Sequence, residues 1–481
     1  MSNSVNIDSQ RVFHYFSEIC KIPHGSGDTS KIADFCENFA KEHNLTCIRD
    51  EADNVIIFKD GTKGYESSAP VILQGHTDMV CQKEDGYEID FLNEGLETYI
   101  DGDFITAKGT TLGGDDGIAV AMVLAILESD AYSHPPIEAV FTTDEEVGML
   151  GAIALDTSVL KGSRMINIDS EEDDVVTVSC AGGSDFEVTL PLNRVKKAGD
   201  RVDVTLKGLQ GGHSGVEIHK GRVNANILAG RFLNHLLLSG VSFELISVNG
   251  GDKRNAITNV CTIELLTEDE EALISEVTTY LNSVKDELSA REKDFAPVIE
   301  SKGFAHSMVF SQSNKKDIIF SLASTPYGVI DMSAEIEGLV ETSLNLGILK
   351  TEEDSVCLEY SFRSNKAGAM NCLREKMMAF YSKIDCKTNS NGEYPSWEYN
   401  SDSPIRDVYV ECYKEHFGKA PQISAIHAGL ECGVFASKIK NFDCISVGPA
   451  MYDIHTFKER LSISSTENIF EVIIKTLEKC K

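Results

Sequence analysis

The chain has 481 residues, of which 42% are hydrophobic and 25% are charged, and this is the composition of a globular protein rather than of a disordered or fibrous one. Its length exceeds that of one ordinary domain and predicts at least two. The formal net charge of -32 argues against a nucleic-acid partner and against binding to an anionic membrane surface, because a basic patch would have to overcome the field of the whole chain.

The cysteine pattern predicts a reducing compartment. The 13 cysteines are odd in number and form no Cys-x-x-Cys pair, which favours free thiols over a disulfide framework. The first residues show no basic segment followed by an apolar core, so we expect no signal peptide. The longest apolar run, residues 118–127, is too short to span a bilayer. These observations predict a cytoplasmic protein.

Strands and helices alternate in the first part of the chain. Helical periodicity over residues 9–43 is interrupted by a turn at 22–27. Strands are then predicted at 54–58, 71–74, 103–107, 137–142 and 164–168, and helices at 118–127 and 148–155. This alternation is typical of a mostly parallel α/β sheet with crossover helices.

The pattern changes near residue 186, where the strands begin to alternate apolar and polar residues as half-buried antiparallel strands do. We predict an inserted α+β domain over residues 186–396, built from two similar strand-helix-strand units. The chain then returns to the first domain, so that residues 1–185 and 397–481 form one α/β domain. The insert is expected to act as a lid or a dimerisation domain.

A histidine and an aspartate end the predicted strand 71–74. Residues two apart on a strand point to the same side, so His76 and Asp78 can act together at its carboxyl end, where open α/β sheets place their ligands. A metal-binding histidine is commonly oriented by a carboxylate. Taken alone, such a tripeptide is more often a surface turn.

Further carboxylate and histidine motifs follow other predicted strands of the same domain. They are Asp115/Asp116, Glu145/Glu146, Asp169 and His455. Several such motifs at one edge of a sheet are hard to explain as solvated loops. A set of histidine and carboxylate ligands without a thiolate suits zinc or a similar divalent ion. The sequence therefore predicts a metal site at this edge.

The motifs, in their order, resemble those of the M20 family of di-zinc metallopeptidases, and within it the aminoacyl-histidine dipeptidase branch. The resemblance covers nearly the whole chain. The family motifs are Gly75-His-Thr-Asp-Met-Val80, Gly113-Gly-Asp-Asp-Gly117, Thr143-Asp-Glu-Glu-Val-Gly148, Ile168-Asp-Ser-Glu171, Gly211-Gly-His-Ser-Gly215 and His455-Thr-Phe-Lys-Glu-Arg-Leu461. The branch is indicated by Ile22-Pro-His-Gly-Ser26, Ile218-His-Lys-Gly-Arg222 and His427-Ala-Gly-Leu-Glu431.

The resemblance implies two Zn²⁺ ions per subunit, with Co²⁺ or Mn²⁺ as possible substitutes. A metal pair polarises the scissile carbonyl and lowers the pKa of a water molecule. The implied ligands are Asp115, which bridges the two ions, His76 and Asp169, which complete one site, and Glu146 and His455, which complete the other.

Three further acidic residues receive implied roles beside these ligands. Asp78 orients the ligand imidazole without binding metal. Glu145 is the general base, and because adjacent strand residues point opposite ways it can face the water while Glu146 binds metal. The Asp115–Asp116 peptide is expected to be cis, and Asp116 is assigned to shaping the turn.

Substrate contacts are implied in and beside the inserted domain. His213 stabilises the tetrahedral oxyanion, and Asn255 holds a substrate carbonyl or carboxylate. Arg363 aligns with the arginine that clamps the terminal carboxylate of the substrate, a task for which a planar guanidinium is suited. Relatives often have Tyr-Pro after this arginine where this chain has Ser-Asn, so Arg254 stays a competing candidate. His427 and Glu431 lie in a helix-entry loop that could line the pocket or be structural.

These residues predict a metallo-dipeptidase that hydrolyses Xaa-His dipeptides, including carnosine-like ones, through a metal-activated water. A homodimer is expected, as in relatives of this branch. Two alternatives with the same metal core are a broad-specificity dipeptidase and an N-acyl amino acid deacylase. A non-catalytic binding protein on a hydrolase fold is the alternative of another class, and the presence of Glu145 with the full ligand set argues against it.

Overall fold

The computed structural model of the chain describes residues 7–481. The expectation that no signal peptide is present falls on the N-terminus and lies outside the described residues. The chain packs into two compact units. The first unit comprises the chain up to Cys180, Trp397–Ala425 and Leu430–Lys481, and the inserted unit comprises Ala181–Ser396 and Ile426–Gly429.

Helices and strands alternate up to Cys180. The helices of this segment are α1 (Ile7–Ile19), α2 (Ser30–Glu42), α3 (Gly114–Glu128) and α4 (Leu150–Ala154). The strands are β1 (Thr46–Arg49), β2 (Val55–Lys59), β3 (Val71–His76), β4 (Thr98–Asp101), β5 (Phe104–Ala107), β6 (Ile137–Thr142), β7 (Arg164–Asn167) and β8 (Val175–Cys180).

The inserted unit is richer in strands. Its strands are β9 (Gly182–Pro191), β10 (Arg194–Leu206), β11 (Gly212–His213), β12 (Glu244–Gly250), β13 (Ala256–Ile257), β14 (Cys261–Thr267), β15 (Val298–Phe310), β16 (Gly328–Met332), β17 (Val340–Thr351), β18 (Ser355–Ser364) and β19 (Lys387–Tyr394). Its helices are α5 (Ala225–Ser239), α6 (Glu270–Leu288), α7 (Gln312–Ser324) and α8 (Ala367–Tyr381).

The chain then returns to the first unit. The helices of this last segment are α9 (Pro404–Phe417), α10 (Glu431–Lys438) and α11 (Ile463–Lys479). Its strands are β20 (Gln422–Ile426), β21 (Asp443–Ser446), β22 (Met451–Tyr452) and β23 (Arg460–Ser462).

The main sheet of the first unit has the strand order β1-β2-β6-β3-β7-β21-β8-β20. The four central strands, β6, β3, β7 and β21, run parallel to one another, while β1, β2 and β8 pair antiparallel. Every residue of β3 and β6 is buried, as expected for central parallel strands covered on both faces. The predicted mostly parallel α/β sheet is confirmed in this core.

Helix α3 is the most completely buried helix segment of the first unit. Its residues from Gly114 to Leu127 are all buried, which matches a sequence that is apolar all round rather than on one face. In the described part of the chain, no helix is both long and apolar enough to cross a membrane.

The inserted unit is built on an antiparallel sheet with the strand order β15-β10-β14-β12-β17-β18-β9-β19, and β16 pairs with β17. Alternate residues of each strand point to opposite faces. On β9, Phe186, Val188 and Leu190 enter the core, where they join apolar residues of α5, α6, α7 and α8. The neighbouring Asp185 and Glu187 lie on the opposite face, and this explains the apolar-polar alternation of the sequence.

Candidate active site

The parallel strands of the first unit bring their carboxyl ends to one edge of the sheet. His76 is the last residue of β3 and pairs in register with Thr142, the last residue of β6. Glu145 and Glu146 follow β6 within four residues, and Asp169 follows β7 by two. The topology therefore brings these side chains together from separate parts of the sequence.

Asp115 lies between two histidines. Its Oδ1 atom is 3.1 Å from His76 Nε2, and its Oδ2 atom is 3.0 Å from His455 Nε2. Asp169 Oδ1 lies 3.6 Å from the same nitrogen of His76, and Glu146 Oε1 lies 2.7 Å from that of His455. The two oxygens of Asp115 thus face two separate histidine-carboxylate pairs, which is the arrangement that a bridging ligand needs.

The charge of this cluster points to bound cations. Among the described residues, no lysine or arginine forms an ion pair with Asp115, Asp116, Glu145, Glu146 or Asp169, and histidines are their only cationic neighbours. Burying carboxylates without a compensating charge is costly, so such groups are paired or coordinate metals. Oxygen and imidazole donors suit a divalent ion such as zinc. The residues present therefore fit two divalent metal ions.

Asp116 lies closer to the candidate ligands than the sequence indicated. Its Oδ2 atom accepts a hydrogen bond from the backbone N–H of His76 at 3.1 Å, and His76, Asp116 and Asp169 form one group that could hold an ion. The peptide bond between Asp115 and Asp116 is cis, as the resemblance implied. The role of Asp116 in shaping the turn stays a prediction.

Asp78 connects a histidine to the loop that carries the glutamates. The Nδ1 atom of His76 is 2.9 Å from the backbone oxygen of Asp78 and 3.4 Å from its carboxylate. That carboxylate accepts hydrogen bonds from the backbone N–H groups of Glu145, at 2.9 Å, and Glu146, at 3.3 Å. The hydroxyl of Ser26 donates a further bond at 2.8 Å. Asp78 is therefore placed close to the His76 ring, and its role in orienting that ring stays a prediction.

Glu145 carries a carboxyl with a raised pKa beside the candidate metal ligands. Burial raises the pKa of its carboxyl to about 8; the neighbouring His76 opposes this rise, while the carboxylates of Glu431 and Glu146 add to it. Glu145 and Glu146 both approach His76 closely enough to share one candidate metal group with it. Its role as the base stays a prediction, which we develop below.

Glu459 supports the turn that carries Asp115. It is 2% exposed, and its carboxylate accepts hydrogen bonds from the backbone N–H groups of Leu112 and Gly114, each at 2.8 Å, with a longer one from Gly113. Hydrogen bonds to a charged group contribute about 1.5–3 kcal/mol each. Glu459 lies in the motif of residues 455–461, but neither this motif nor its separation of 344 residues from Asp115 reveals the contact.

Glu431 belongs to the interior of the first unit rather than to a surface open to a ligand. It is 0% exposed, and its Oε2 atom accepts hydrogen bonds from the side chains of Gln74 and Thr142 on β3 and β6. Burial raises the pKa of its carboxyl to about 7. These contacts with polar core residues agree with the structural alternative for Glu431, and its place in the substrate pocket stays a prediction.

In the inserted unit, His213 and Asn255 are brought together by a short antiparallel pair. β11 and β13 place His213 opposite Ala256, and the Asn255 backbone oxygen accepts a hydrogen bond from the N–H of Ser214 at 2.9 Å. The Nδ1 atom of His213 accepts the N–H groups of Gly215 and Val216, both at 3.2 Å. Because Nδ1 is an acceptor in both bonds, the proton of the neutral ring lies on Nε2.

His427 is enclosed by partners of the inserted unit. It is 5% exposed; its Nε2 atom lies 2.7 Å from the hydroxyl of Ser343, and its Nδ1 atom lies 3.2 Å from Oδ1 of Asn365. Burial and, to a smaller extent, the nearby charge of Arg363 lower the pKa of His427 to about 3. Both ring nitrogens are engaged within the inserted unit, which agrees with the structural alternative for His427, and a contact with substrate stays a prediction.

The two candidate arginines differ in how their charge is compensated. Arg254 contacts three carboxylates: those of Asp185 at 3.0 Å, Glu187 at 2.7 Å and Glu359. Arg363 is 8% exposed and forms no ion pair within the described chain, and its buried Nε atom has no hydrogen-bond acceptor there. A buried unpaired guanidinium is costly. Arg363 therefore lacks the carboxylate partners that Arg254 has, and this makes it the better candidate for binding an anionic ligand.

The fold and the metal-binding edge define a metal-dependent hydrolase. A protein-family comparison agrees, since residues 72–479 match Peptidase family M20/M25/M40. The chain belongs to this family. The peptidases of this family are metal-dependent and typically dinuclear. This agrees with the position of Asp115 between His76 and His455.

Two relatives are similar over their full length. The cytosol non-specific dipeptidase of Escherichia coli (strain K12) is 36% identical over 484 residues, covering 100% of this chain and 99% of the relative. The crystal structure of aminoacylhistidine dipeptidase from Vibrio alginolyticus is also 36% identical, covers 100% of this chain and 99% of that one, and superposes with a TM-score of 0.91. The structure of aminopeptidase PepT from Bacillus cereus, at 14% identity and a TM-score of 0.57 over 98% of both chains, shares the fold.

Proposed function

We propose that this chain is a metallo-dipeptidase that hydrolyses Xaa-His dipeptides by attack of an activated water on the peptide carbonyl. The observation that carries the proposal is the position of Asp115 between His76 and His455, in a carboxylate cluster without lysine or arginine partners. Two divalent cations bound by this cluster would polarise the carbonyl and lower the pKa of the water. We propose Zn²⁺ as the metal, with Co²⁺ or Mn²⁺ as substitutes.

Within this proposal, Glu145 moves the proton. Its carboxylate accepts the proton of the attacking water and passes it to the nitrogen of the leaving amino acid. The position of Glu145 supports this role, because its carboxyl lies beside His76 and Glu146 in one group of candidate metal-binding side chains. Asp78, through its bonds to the Glu145 and Glu146 backbone, keeps this loop in place beside His76.

His213 would supply a hydrogen bond to the oxyanion of the tetrahedral intermediate. Its Nδ1 atom is engaged by two backbone N–H groups, so its Nε2–H is the group that can donate. Burial and the adjacent Arg363 lower its pKa, which favours the neutral ring. We further propose that Arg363 binds the terminal carboxylate of the substrate and that Asn255 contacts a substrate oxygen.

The preference for histidine is the finer part of the proposal. The Vibrio relative is an aminoacylhistidine dipeptidase and the Escherichia coli relative is a non-specific dipeptidase, and both are 36% identical to this chain. A broad-specificity dipeptidase is therefore the second candidate. A homodimer and a cytosolic location complete the proposal. The exposed Phe304 and Met308 on the edge strand β15 support the dimer, since a second chain could cover such an edge, and a monomer in sedimentation velocity would contradict it.

A substrate panel tests the activity. We expect the zinc-loaded protein to hydrolyse Ala-His and β-alanyl-histidine with a higher kcat/KM than Gly-Gly or Ala-Ala, and to leave N-acetyl amino acids intact. Product amino acids would be quantified by chromatography. Equal rates on all dipeptides would establish the broad-specificity alternative, and better turnover of the acetylated set would overturn the assignment as a dipeptidase.

A further inference from the structure

Arg363 lies in a row of residues that crosses four strands of the inserted sheet. Ser343 on β17 pairs with Arg363 on β18, Arg363 pairs with Gly183 on β9, and Gly183 pairs with Tyr394 on β19. Side chains in register on neighbouring strands share one face of a sheet. Ser343, Arg363 and Tyr394 therefore project from the same face, with a glycine between the arginine and the tyrosine.

Because Gly183 has no side chain, it leaves room for Tyr394 to reach Arg363. A Cβ atom at Gly183 would lie 2.3 Å from the Tyr394 hydroxyl oxygen and from the adjacent ring carbon, a distance that real Cβ atoms do not show. With no side chain there, the Tyr394 ring crosses the row, and its hydroxyl accepts a hydrogen bond from Nη1 of Arg363 at 2.8 Å. Any larger residue at position 183 would displace the ring.

The Nε atom of Arg363 also has a close neighbour. Gly215 approaches the guanidinium so nearly that a Cβ there would lie 3.1 Å from Arg363 Nε. His427 is adjacent, but burial and the charge of Arg363 lower the pKa of its ring and favour the neutral form, so it adds no like charge beside the arginine. The phenol of Tyr394 is thus a neutral acceptor that fixes the guanidinium without neutralising it. A carboxylate at that position would satisfy the arginine and remove its affinity for an anion.

From this geometry we propose that Tyr394 is a positioning residue that fixes the Arg363 guanidinium for the terminal carboxylate of the substrate, and that Gly183 is required to let it do so. The inference rests on the proposed function, because it takes Arg363 to be the carboxylate-binding residue. Tyr394 acts through Arg363 and contacts neither metal nor reacting atoms. Its removal should therefore change the affinity for substrates that carry a carboxylate, and little else.

The test compares Tyr394→Phe with the wild-type protein, each loaded with zinc. We expect KM for Ala-His to rise about tenfold, the effect of one lost hydrogen bond to a charged group, while kcat stays within about twofold. Alanyl-histidinamide, which lacks the carboxylate, serves as a competitor of Ala-His hydrolysis. Its inhibition constant should be the same for both proteins, because the amide cannot use the arginine. Gly183→Ala should reproduce the effect by displacing the ring.

Arg363→Met is the reference variant that separates the two levels of the proposal. If it raises KM for Ala-His while Tyr394→Phe does not, the carboxylate clamp stands and the role of Tyr394 is refuted. If Arg363→Met leaves KM unchanged, the clamp itself fails. An equal weakening of Ala-His and of the amide by Tyr394→Phe indicates a general structural effect and also overturns the inference. Thermal unfolding of each variant accompanies the kinetics.

Discussion

Replacement of Glu145 by glutamine should lower kcat for Ala-His hydrolysis by about 10²–10⁴-fold, the usual contribution of a general acid or base. Glutamine keeps the size of the side chain but cannot take a proton from water. The backbone N–H of residue 145 can still bond to Asp78, so the loop should keep its position. We expect the bound metal, measured by atomic emission on the purified protein, to equal that of the wild type.

The matched control is Glu88→Gln, which removes the same charge from an exposed position of the first unit and should leave kcat unchanged. The kinetic loss must also persist at saturating substrate, because the role assigned to Glu145 lies in the chemical step and not in binding. A Glu145→Gln protein that retains wild-type kcat with full metal content would remove Glu145 from the mechanism.

Replacement of Asp115 by asparagine should reduce turnover to background and lower the metal content below that of the wild type. The two carboxylate oxygens of Asp115 face His76 and His455 separately. An asparagine offers one oxygen and one N–H₂ group, so it can no longer bridge two cations. The loss of negative charge also weakens the attraction for both ions. Metal content and kcat would be measured on the same sample.

Asp85→Asn, at an exposed position of the same unit, is the control for the change in charge. It should bind metal and hydrolyse Ala-His as the wild type does. Retention of the full metal content by Asp115→Asn would show that Asp115 does not bridge, and the two histidine-carboxylate pairs would then need another explanation.

The local sequence pattern predicts many of the helices and strands, because the spacing of apolar residues reflects which faces of an element are buried. The apolar segment of α3 and the continuous apolar run of β3 both correspond to fully buried elements of the parallel core. The alternation along β9 likewise matches a strand with one buried face. The long strand β15 has no such signal and was not predicted, since it is an edge strand that is largely exposed and carries Gly303.

The candidate metal ligands were predictable because they lie at predicted strand ends or in adjoining loops and because their residue types share one chemistry. The structure brings His76, Asp115 and His455 together at distances near 3 Å. The supporting contacts were not predictable. Glu459 reaches the turn before Asp115 across 345 residues, from Glu459 to Gly114, and Tyr394 meets Arg363 only through the register of three strands. Such contacts depend on tertiary packing, which a local pattern does not contain.

The most direct test of the account is the turnover of Ala-His by wild-type protein before chelation, after removal of metal, and after stepwise return of Zn²⁺. The account predicts that hydrolysis stops in the metal-free protein and recovers fully as the second equivalent of zinc binds, because the proposed site around Asp115 would bind two ions. Undiminished hydrolysis by the metal-free protein, or full recovery with one equivalent, would contradict a reaction that depends on a bridged pair of metal ions.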